Sequence, residues 1–219
     1  MLGDLLPDRP DRLGWAERFD DVEPGDLFGV EAAVIARAVP SRRREFTTGR
    51  WCARQALARL GRPAVPIPRG ERGAPGWPPG VVGAITHCAG YRAAVAGTAA
   101  AVLTIGVDAE PAEPLPPGVL AEVSRPEERT HVAALARDEP AVCWDRLLFS
   151  AKETVYKAWF PLANRWLDFD EAHIAIRPAG DGAGTFTARL LVDGPVAGFT
   201  GRWLVRDGLV VTAIVQHRR

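Results

Sequence analysis

The sequence predicts an α+β fold with antiparallel sheet, on three observations. Stretches with helical spacing of apolar residues and stretches rich in β-branched and small apolar residues follow one another in blocks: helices, then strands, then helices, then strands. The dipeptides Asp193-Gly194 and Asp207-Gly208 separate apolar runs late in the chain, where they favour tight hairpin turns. The composition, 47% hydrophobic and 25% charged over 219 residues, is that of a globular chain sized for one large domain or two small halves sharing a core.

Taken in order, Val30, Ala33, Val34 and Ala38 recur at helical spacing between Phe28 and Ala38, and Pro40 reads as a stop. Ser41 reads as the N-cap of a second helix that reaches Leu60 and is closed by Gly61. Its cations come early and recur: Arg42, Arg43, Arg44, Arg50 and Arg54. The Pro- and Gly-rich run Arg62 to Gly80 reads as a long loop, a length usually found in functional or disordered segments. Strands are expected over Val81 to Thr86, Arg92 to Ala96 and Val102 to Asp108, and Pro111 to Pro117 is placed to separate two halves. Ser124-Arg125-Pro126-Glu127 has the form of a capping box opening another helix. A long helix is expected from about Ala141 to Trp159, ended by Pro161. Ala172 to Arg177, Thr185 to Val192, Gly198 to Val205 and Leu209 to Gln216 read as strands, and no convincing internal sequence repeat accompanies the two blocks.

The charge balance narrows the partners. With 27 basic and 27 acidic residues the net charge is zero, so the whole molecule does not steer toward nucleic acid or an anionic membrane; a polyanion must meet a local patch. The longest uncharged apolar run, Ala93 to Val107, is too short for a bilayer, and Met1-Leu2-Gly3-Asp4 lacks the basic start of a secretory signal. Cys52, Cys88 and Cys143 are odd in number and unrelated in spacing, which fits reduced thiols in the cytoplasm. Only two of the 27 cations are lysines, Lys152 and Lys157, within six residues. Either this helix needs a compact ammonium where a planar guanidinium will not serve, or the two cluster by chance.

Asp108 and Glu110 close a strand two residues apart, so both carboxylates leave one face: by themselves two exposed acids at a strand end sooner than half of a Mg²⁺ site. A third carboxylate would favour the metal, and Glu153 is the candidate. It lies one helical turn before Lys157 among Phe149, Tyr156 and Phe160, an ordinary surface pair or a pair partly buried at the wall of a cleft. Thr86 and His87 end a strand, and Arg42, Arg50, Arg54, Arg69 and Arg72 supply cations upstream. Cations for phosphates and acids for Mg²⁺ describe a site for a polyphosphorylated, nucleotide-like ligand, and neither a P-loop nor a dinucleotide-binding turn is present to supply it otherwise.

These residues carry a resemblance. Gly49-Arg50-Trp51-Cys52-Ala53-Arg54, Trp77-Pro78, Ile85-Thr86-His87, Gly106-Val107-Asp108-Ala109-Glu110 and Phe149-Ser150-Ala151-Lys152-Glu153 with Tyr156-Lys157 together resemble the Sfp-type 4′-phosphopantetheinyl transferases. The likeness is to the shorter branch with the enterobactin-synthase component D-like enzymes, in order over residues 40 to 217. It implies two pseudo-equivalent α/β halves with the active site at their interface: residues 1–105 with a cationic coenzyme A clamp, and residues 106–219 with the Mg²⁺-binding acids and the catalytic helix. The implied activity is that of a holo-[acyl-carrier-protein] synthase, moving the 4′-phosphopantetheine arm of coenzyme A to a serine of an apo acyl or peptidyl carrier protein and releasing 3′,5′-ADP. Carriers of fatty-acid, polyketide or nonribosomal-peptide synthesis are the implied partners of a cytoplasmic monomer with no nucleic-acid or membrane partner.

The resemblance further implies Asp108, Glu110 and Glu153 as Mg²⁺ ligands and Lys157 at the pyrophosphate. Thr86 and His87 match a pair holding coenzyme A phosphates, with Arg42, Arg50 and Arg69 as a cationic clamp, and Arg72, Lys152, Trp166 and Asp108 fall among the coenzyme A-binding residues. Ala84 stands where many members carry serine, and Arg69 where lysine is common. In the expected reaction Glu153 accepts the serine proton and Lys157 steadies the leaving phosphate. Phe149, Tyr156 and Trp166 would line an apolar groove for the arm, and Phe160 to Trp166 would meet the carrier. Two alternatives stand beside this: another Mg²⁺-dependent phosphoryl-transfer enzyme, and a non-catalytic module that binds coenzyme A or docks carriers.

Overall fold

The computed structural model of the chain describes residues 1–7, 12–23, 25 and 27–218. A short helix α1 (Leu2–Leu5) precedes β1 (Leu13–Arg18), α2 (Gly29–Val34), the long α3 (Pro40–Arg59), β2 (Val81–Cys88), β3 (Tyr91–Thr98) and β4 (Val102–Pro111). Then come α4 (Val119–Val123), α5 (Pro126–Asp138), α6 (Trp144–Ala163), β5 (Ala172–Gly180), β6 (Ala183–Leu190), β7 (Gly198–Arg206) and β8 (Leu209–His217). One antiparallel sheet has the order β1-β3-β2 and the other β4-β8-β7-β6-β5. No helix among the described residues is long and apolar enough to cross a membrane.

The side-chain alternation of the strands builds four layers. Ala94 and Ala96 of β3 pack with Cys52, Ala53, Ala56 and Leu57 of α3, while Ala93 and Val95 turn to the other face. There they meet Ile105, Val107 and Ala109 of β4 with Val211 and Ala213 of β8. Val210 and Ile214 of β8 face α6 and its Leu147, Leu148, Val155 and Trp159. The order is therefore helix, sheet, sheet, helix, with the two sheets face to face.

A similar order of strand, helix and meander recurs twice along the chain where no sequence repeat was visible. A strand leads into a long helix, and the last strand of the following meander returns antiparallel to the first: β1, α3, then β3 in one block, β4, α6, then β8 in the other. Each block also has a glycine where its helix crosses its first strand. A Cβ on Gly14 would stand 2.0 Å from the Ala56 carbonyl oxygen, and one on Gly106 2.1 Å from that of Thr154. Only hydrogen fits, which lets each helix backbone lie directly on its strand. Residues 105 and 106 both lie within β4, so the division expected there falls inside one strand.

Several local expectations are corrected. Residues 13–18 form a strand that the pattern did not announce; Gly14 and Trp15 break the β-branched signature, and the segment is extended because β3 pairs with it. The first helix is short, ending at Val34. Pro40 does not stop it but starts α3, with Val39 as N-cap and Ser41 inside, since proline's fixed φ and missing N–H suit the first helical position. The capping box of α5 is one residue later than read: Arg125 is the N-cap, and Glu128 accepts from its N–H at 2.8 Å. Pro161 lies inside α6, which runs to Ala163 and ends at Asn164 in the left-handed region. Asp207-Gly208, both at positive φ, make the expected two-residue turn between β7 and β8. Asp193-Gly194 does not: β6 and β7 are joined by residues 191–197, and a Cβ on Gly194 would lie 2.0 Å from the Trp159 ring.

Candidate active site

Thr104, Gly106 and Asp108 share the β4 face that α6 covers, and the close approach at Gly106 brings short side chains of α6 onto Asp108. Asp108 is buried, and its two oxygens have different surroundings. Oδ2 accepts from the Ser150 hydroxyl at 2.9 Å, whereas Oδ1 accepts from Lys157 Nζ at 2.6 Å and from the Thr86 hydroxyl at 3.3 Å. Thr86 also accepts from the Ala109 N–H at 3.0 Å, so it ties β2 to β4.

The other two acids flank Asp108. Glu110 accepts from Arg146 at 3.0 Å, and Arg146 is itself anchored on the carbonyls of Glu113 and Pro114. Burial, with the Asp108 charge adding to it, pushes the Glu110 carboxyl above the usual range despite Arg146. Glu153 lines the groove wall beside Tyr156 and Lys157. Burial raises its carboxyl too; Lys157 opposes that shift and Asp108 adds to it. Among the described residues, no three His, Cys, Asp or Glu side chains are gathered into a metal-binding cluster. The donor chemistry nevertheless suits a hard divalent cation: three carboxylates, two of them raised by burial with the Asp108 charge adding to it, with cations now opposite Asp108 and Glu110.

The two lysines divide their work. Lys152 is buried, and its three ammonium protons meet three acceptors: Glu128 Oε1 at 2.9 Å, the Phe169 carbonyl at 2.6 Å and the Ala172 carbonyl at 2.5 Å. A pyramidal donor fits that pocket and a planar guanidinium does not, which accounts for lysine here in an arginine-rich chain. The expected coenzyme A contact of Lys152 is corrected accordingly: its charge is spent fixing α5 and the start of β5 to α6. Lys157 is the lysine at the groove.

The cationic residues form a recess of about 130 Å³ lined by Arg42, Glu45, Arg50, Arg69 and His87. Arg42 donates to His87 Nε2 at 2.8 Å and to Glu45 at 3.2 Å. A guanidinium only donates, so Nε2 is the unprotonated nitrogen and Nδ1 carries the proton. Burial first, and Arg42 second, hold the imidazole below its ordinary range, in keeping with the neutral ring. Arg50 stacks on Phe46 at 4.2 Å and donates to the Ile67 carbonyl at 2.7 Å; burial brings its pKa down to about 10, which leaves it charged at neutral pH. The Ile67 N–H is taken by the buried Glu31, which also holds Arg54, so the long loop is pinned to α3 at one residue. Thr86 and His87 point to opposite faces of β2, the first to β4 and the second to α3. Of the pair expected to hold phosphates, only His87 lies in the arginine-lined recess, and Thr86 is turned to β4.

Sharing Gly73, Pro75 and Ile85 with this recess is a larger groove of about 540 Å³ between β2 and the 72–77 loop on one side and α6 on the other. Its walls are Trp77, Val82, Tyr156 and Phe160, with Arg72, Glu153 and Lys157 at the rim. Trp166 packs tilted at 54° against Tyr156 at 4.7 Å, with Arg72 over its ring at 5.4 Å, which sets Trp166 beside two residues of the groove. Phe149 is not in the wall; it packs on Phe169 at 6.2 Å. Sequence reading missed Glu45 and Arg146, each a residue type common on any surface and marked only by the helix that brings it here.

A sheet-sheet core with a glycine-seated helix on each outer face, and a groove and recess lined by guanidiniums and acids, suits a transferase that acts on a polyphosphorylated ligand. The chain belongs to the 4′-phosphopantetheinyl transferase superfamily: the model of the N-terminal domain of these enzymes matches residues 30–97 and that of the superfamily matches residues 104–199. It is 59% identical to the 4′-phosphopantetheinyl transferase Svp of Streptomyces mobaraensis, over 98% of this chain and 88% of that one. It is 50% identical to the 4′-phosphopantetheinyl transferase PptT of Mycobacterium tuberculosis, over 93% and 92%. Enterobactin synthase component D of Salmonella typhi is a more distant relative, 36% identical over 54% of this chain and 48% of that protein. The chain is an enzyme that transfers the phosphopantetheine arm of coenzyme A to carrier proteins.

Proposed function

We propose that Glu153 is the base of this transfer and Lys157 the cation at the pyrophosphate. The observation that carries it is the pairing of opposites on one turn of α6. Glu153 makes no hydrogen bond or ion pair among the described residues and its carboxyl is raised, ready to take a proton, while Lys157 already holds an anionic oxygen at 2.6 Å. Arg42, Arg50, Arg69 and His87 would grip the phosphates of the nucleotide end, and the 540 Å³ groove would take the arm, with Arg72 at its rim and Trp166 beside it. Trp77 Nε1 and the Tyr156 hydroxyl, both buried without a partner among the described residues, are the donors available to the amide carbonyls of that arm.

In this reading a carrier serine gives its proton to Glu153 as its oxygen forms a bond to the phosphorus bearing the arm. The bond from that phosphorus to the bridging oxygen breaks, and 3′,5′-ADP leaves with its charge met by Lys157 and the arginines. Asp108, Glu110 and Glu153 would hold Mg²⁺, which when bound neutralises charge on the pyrophosphate oxygens. The carriers are those of fatty-acid, polyketide or nonribosomal-peptide synthesis. The two blocks of one chain supply every residue named, so a monomer suffices, and the three free thiols suit the cytoplasm.

The test is Glu153→Gln with coenzyme A, Mg²⁺ and an apo carrier protein, reading the phosphopantetheine mass gain on the carrier serine. Loss of a general base lowers the rate by about 10²- to 10⁴-fold. Near-normal turnover would remove Glu153 from that role.

A further inference from the structure

Behind the groove, Asp108 terminates a chain of buried hydroxyls that the reaction above does not use. Ser150 Oγ lies 2.9 Å from Asp108 Oδ2 and 2.9 Å from Thr212 Oγ1, which lies 2.6 Å from Thr154 Oγ1. Thr212 stands directly opposite Asp108 in the β4–β8 ladder, so both side chains leave the same face, and Ser150 and Thr154 are one turn apart on the helix above. Ser150, Thr154 and Thr212 are each 0% exposed, so no water competes for these bonds.

The direction of the chain follows from counting protons. Each hydroxyl has one proton to give, and an ionised carboxylate has none. Ser150 therefore gives its proton to Asp108. Thr212, within bonding distance of an oxygen whose proton is already spent, must donate to it, sharing the proton with the Ser150 carbonyl at 3.1 Å. Thr154 then donates to Thr212. All three dipoles point toward the carboxylate, and each bond polarises the next.

We infer that Thr212 is a positioning residue for phosphopantetheine transfer, acting through Ser150 to lock Asp108 Oδ2 into the interior so that Oδ1 alone serves the groove. The inference rests on the reading that Asp108 holds the divalent cation. Without the Thr212 hydroxyl, Ser150 loses the donor that orients it, and Asp108 Oδ2 is held less firmly while Lys157 and Thr86 still hold Oδ1, leaving more play about a torsion with broad preferences.

The experiment compares Thr212→Val, which keeps the shape and removes the hydroxyl, with Thr212→Ser, which keeps the hydroxyl. Mn²⁺ binding to the protein alone is measured by electron paramagnetic resonance, alongside kcat, KM for coenzyme A and the Mg²⁺ concentration for half-maximal rate. Thr212→Val is expected to weaken Mn²⁺ binding and lower kcat by about 10- to 100-fold with KM for coenzyme A unchanged, as for partners that orient metal ligands, and Thr212→Ser to restore both. A merely structural hydroxyl would lower the melting temperature and leave Mn²⁺ affinity and kcat intact, and that result overturns the inference. Should Thr212→Val fail to fold, Thr154→Val, one link further back, must weaken Mn²⁺ binding in the same direction; unchanged affinity there overturns it equally. A wild-type protein that transfers the arm but binds no Mn²⁺ overturns the metal reading beneath it, which separates the two failures.

Discussion

Replacing Gly106 by alanine tests how the catalytic helix is seated. The new methyl would stand 2.1 Å from the Thr154 carbonyl oxygen and 3.1 Å from the Ala158 Cβ, both on α6 and neither the end of a flexible side chain. Ordinary contact is about 3.5 Å, so the helix must retreat by more than about 1 Å. That displacement carries Ser150, Glu153 and Lys157 with it. The Ser150 bond to Asp108 at 2.9 Å would stretch beyond hydrogen-bonding reach, whereas the long arm of Lys157 can follow. Overpacking of this kind costs about 1–3 kcal/mol, which for a chain of this size lowers the melting temperature by roughly 2–12 °C. A 1 Å misplacement of reacting groups costs about 10²-fold in rate. Gly14→Ala is the control, since its methyl would meet the Ala56 carbonyl oxygen at 2.0 Å on α3, which carries Arg42, Glu45 and Arg50 of the recess but none of Asp108, Glu110 and Glu153. The two variants should lose similar stability, but Gly106→Ala should lower kcat whereas Gly14→Ala should raise KM for coenzyme A and leave kcat alone. Thermal unfolding and steady-state kinetics read both. A Gly106→Ala protein with wild-type melting temperature and turnover, or one in which only KM moves, refutes the reasoning.

Two further expectations follow from the buried charges. Lys152→Met leaves Glu128 buried without its counter-charge and should destabilise the protein by about 3–5 kcal/mol, read by denaturant unfolding, while KM for coenzyme A in the folded protein stays unchanged because the ammonium faces the interior. In the metal-free protein the Glu153 carboxyl should titrate above the ordinary glutamate value of 4.5, because burial, with the Asp108 charge adding to it, pushes it up. Lys157→Met, which removes the charge opposing that shift, should move this titration, followed by carboxyl NMR, further up, and Glu153→Gln should abolish it. A carboxyl raised in the folded state favours folding below its unfolded pKa, and that contribution is lost as pH rises through the folded value. Glu153→Gln should therefore raise the melting temperature at neutral pH more than at pH 4, and an equal change at both would contradict the assignment.

The sequence by itself determined most of the elements after residue 28, the long helix that carries Glu153 and Lys157, the acids at the end of β4 and the family, because apolar periodicity and the order of motifs are local properties of the chain. It also marked the two lysines as special without saying how they differ. Only the tertiary structure decided that Lys152 faces three interior acceptors while Lys157 faces the groove, although both lie on one helix five residues apart. The same holds for β1, extended because β3 pairs with it, and for Thr86 and His87, neighbours that alternation sends to opposite faces. Thr212 and Arg146 carry no local signal at all; they reach Asp108 and Glu110 through strand register and helix placement. What a side chain touches depends on which backbone lies opposite, here on two glycines that let each helix settle onto its strand, and close approach between segments distant along the chain leaves no periodic trace in either of them.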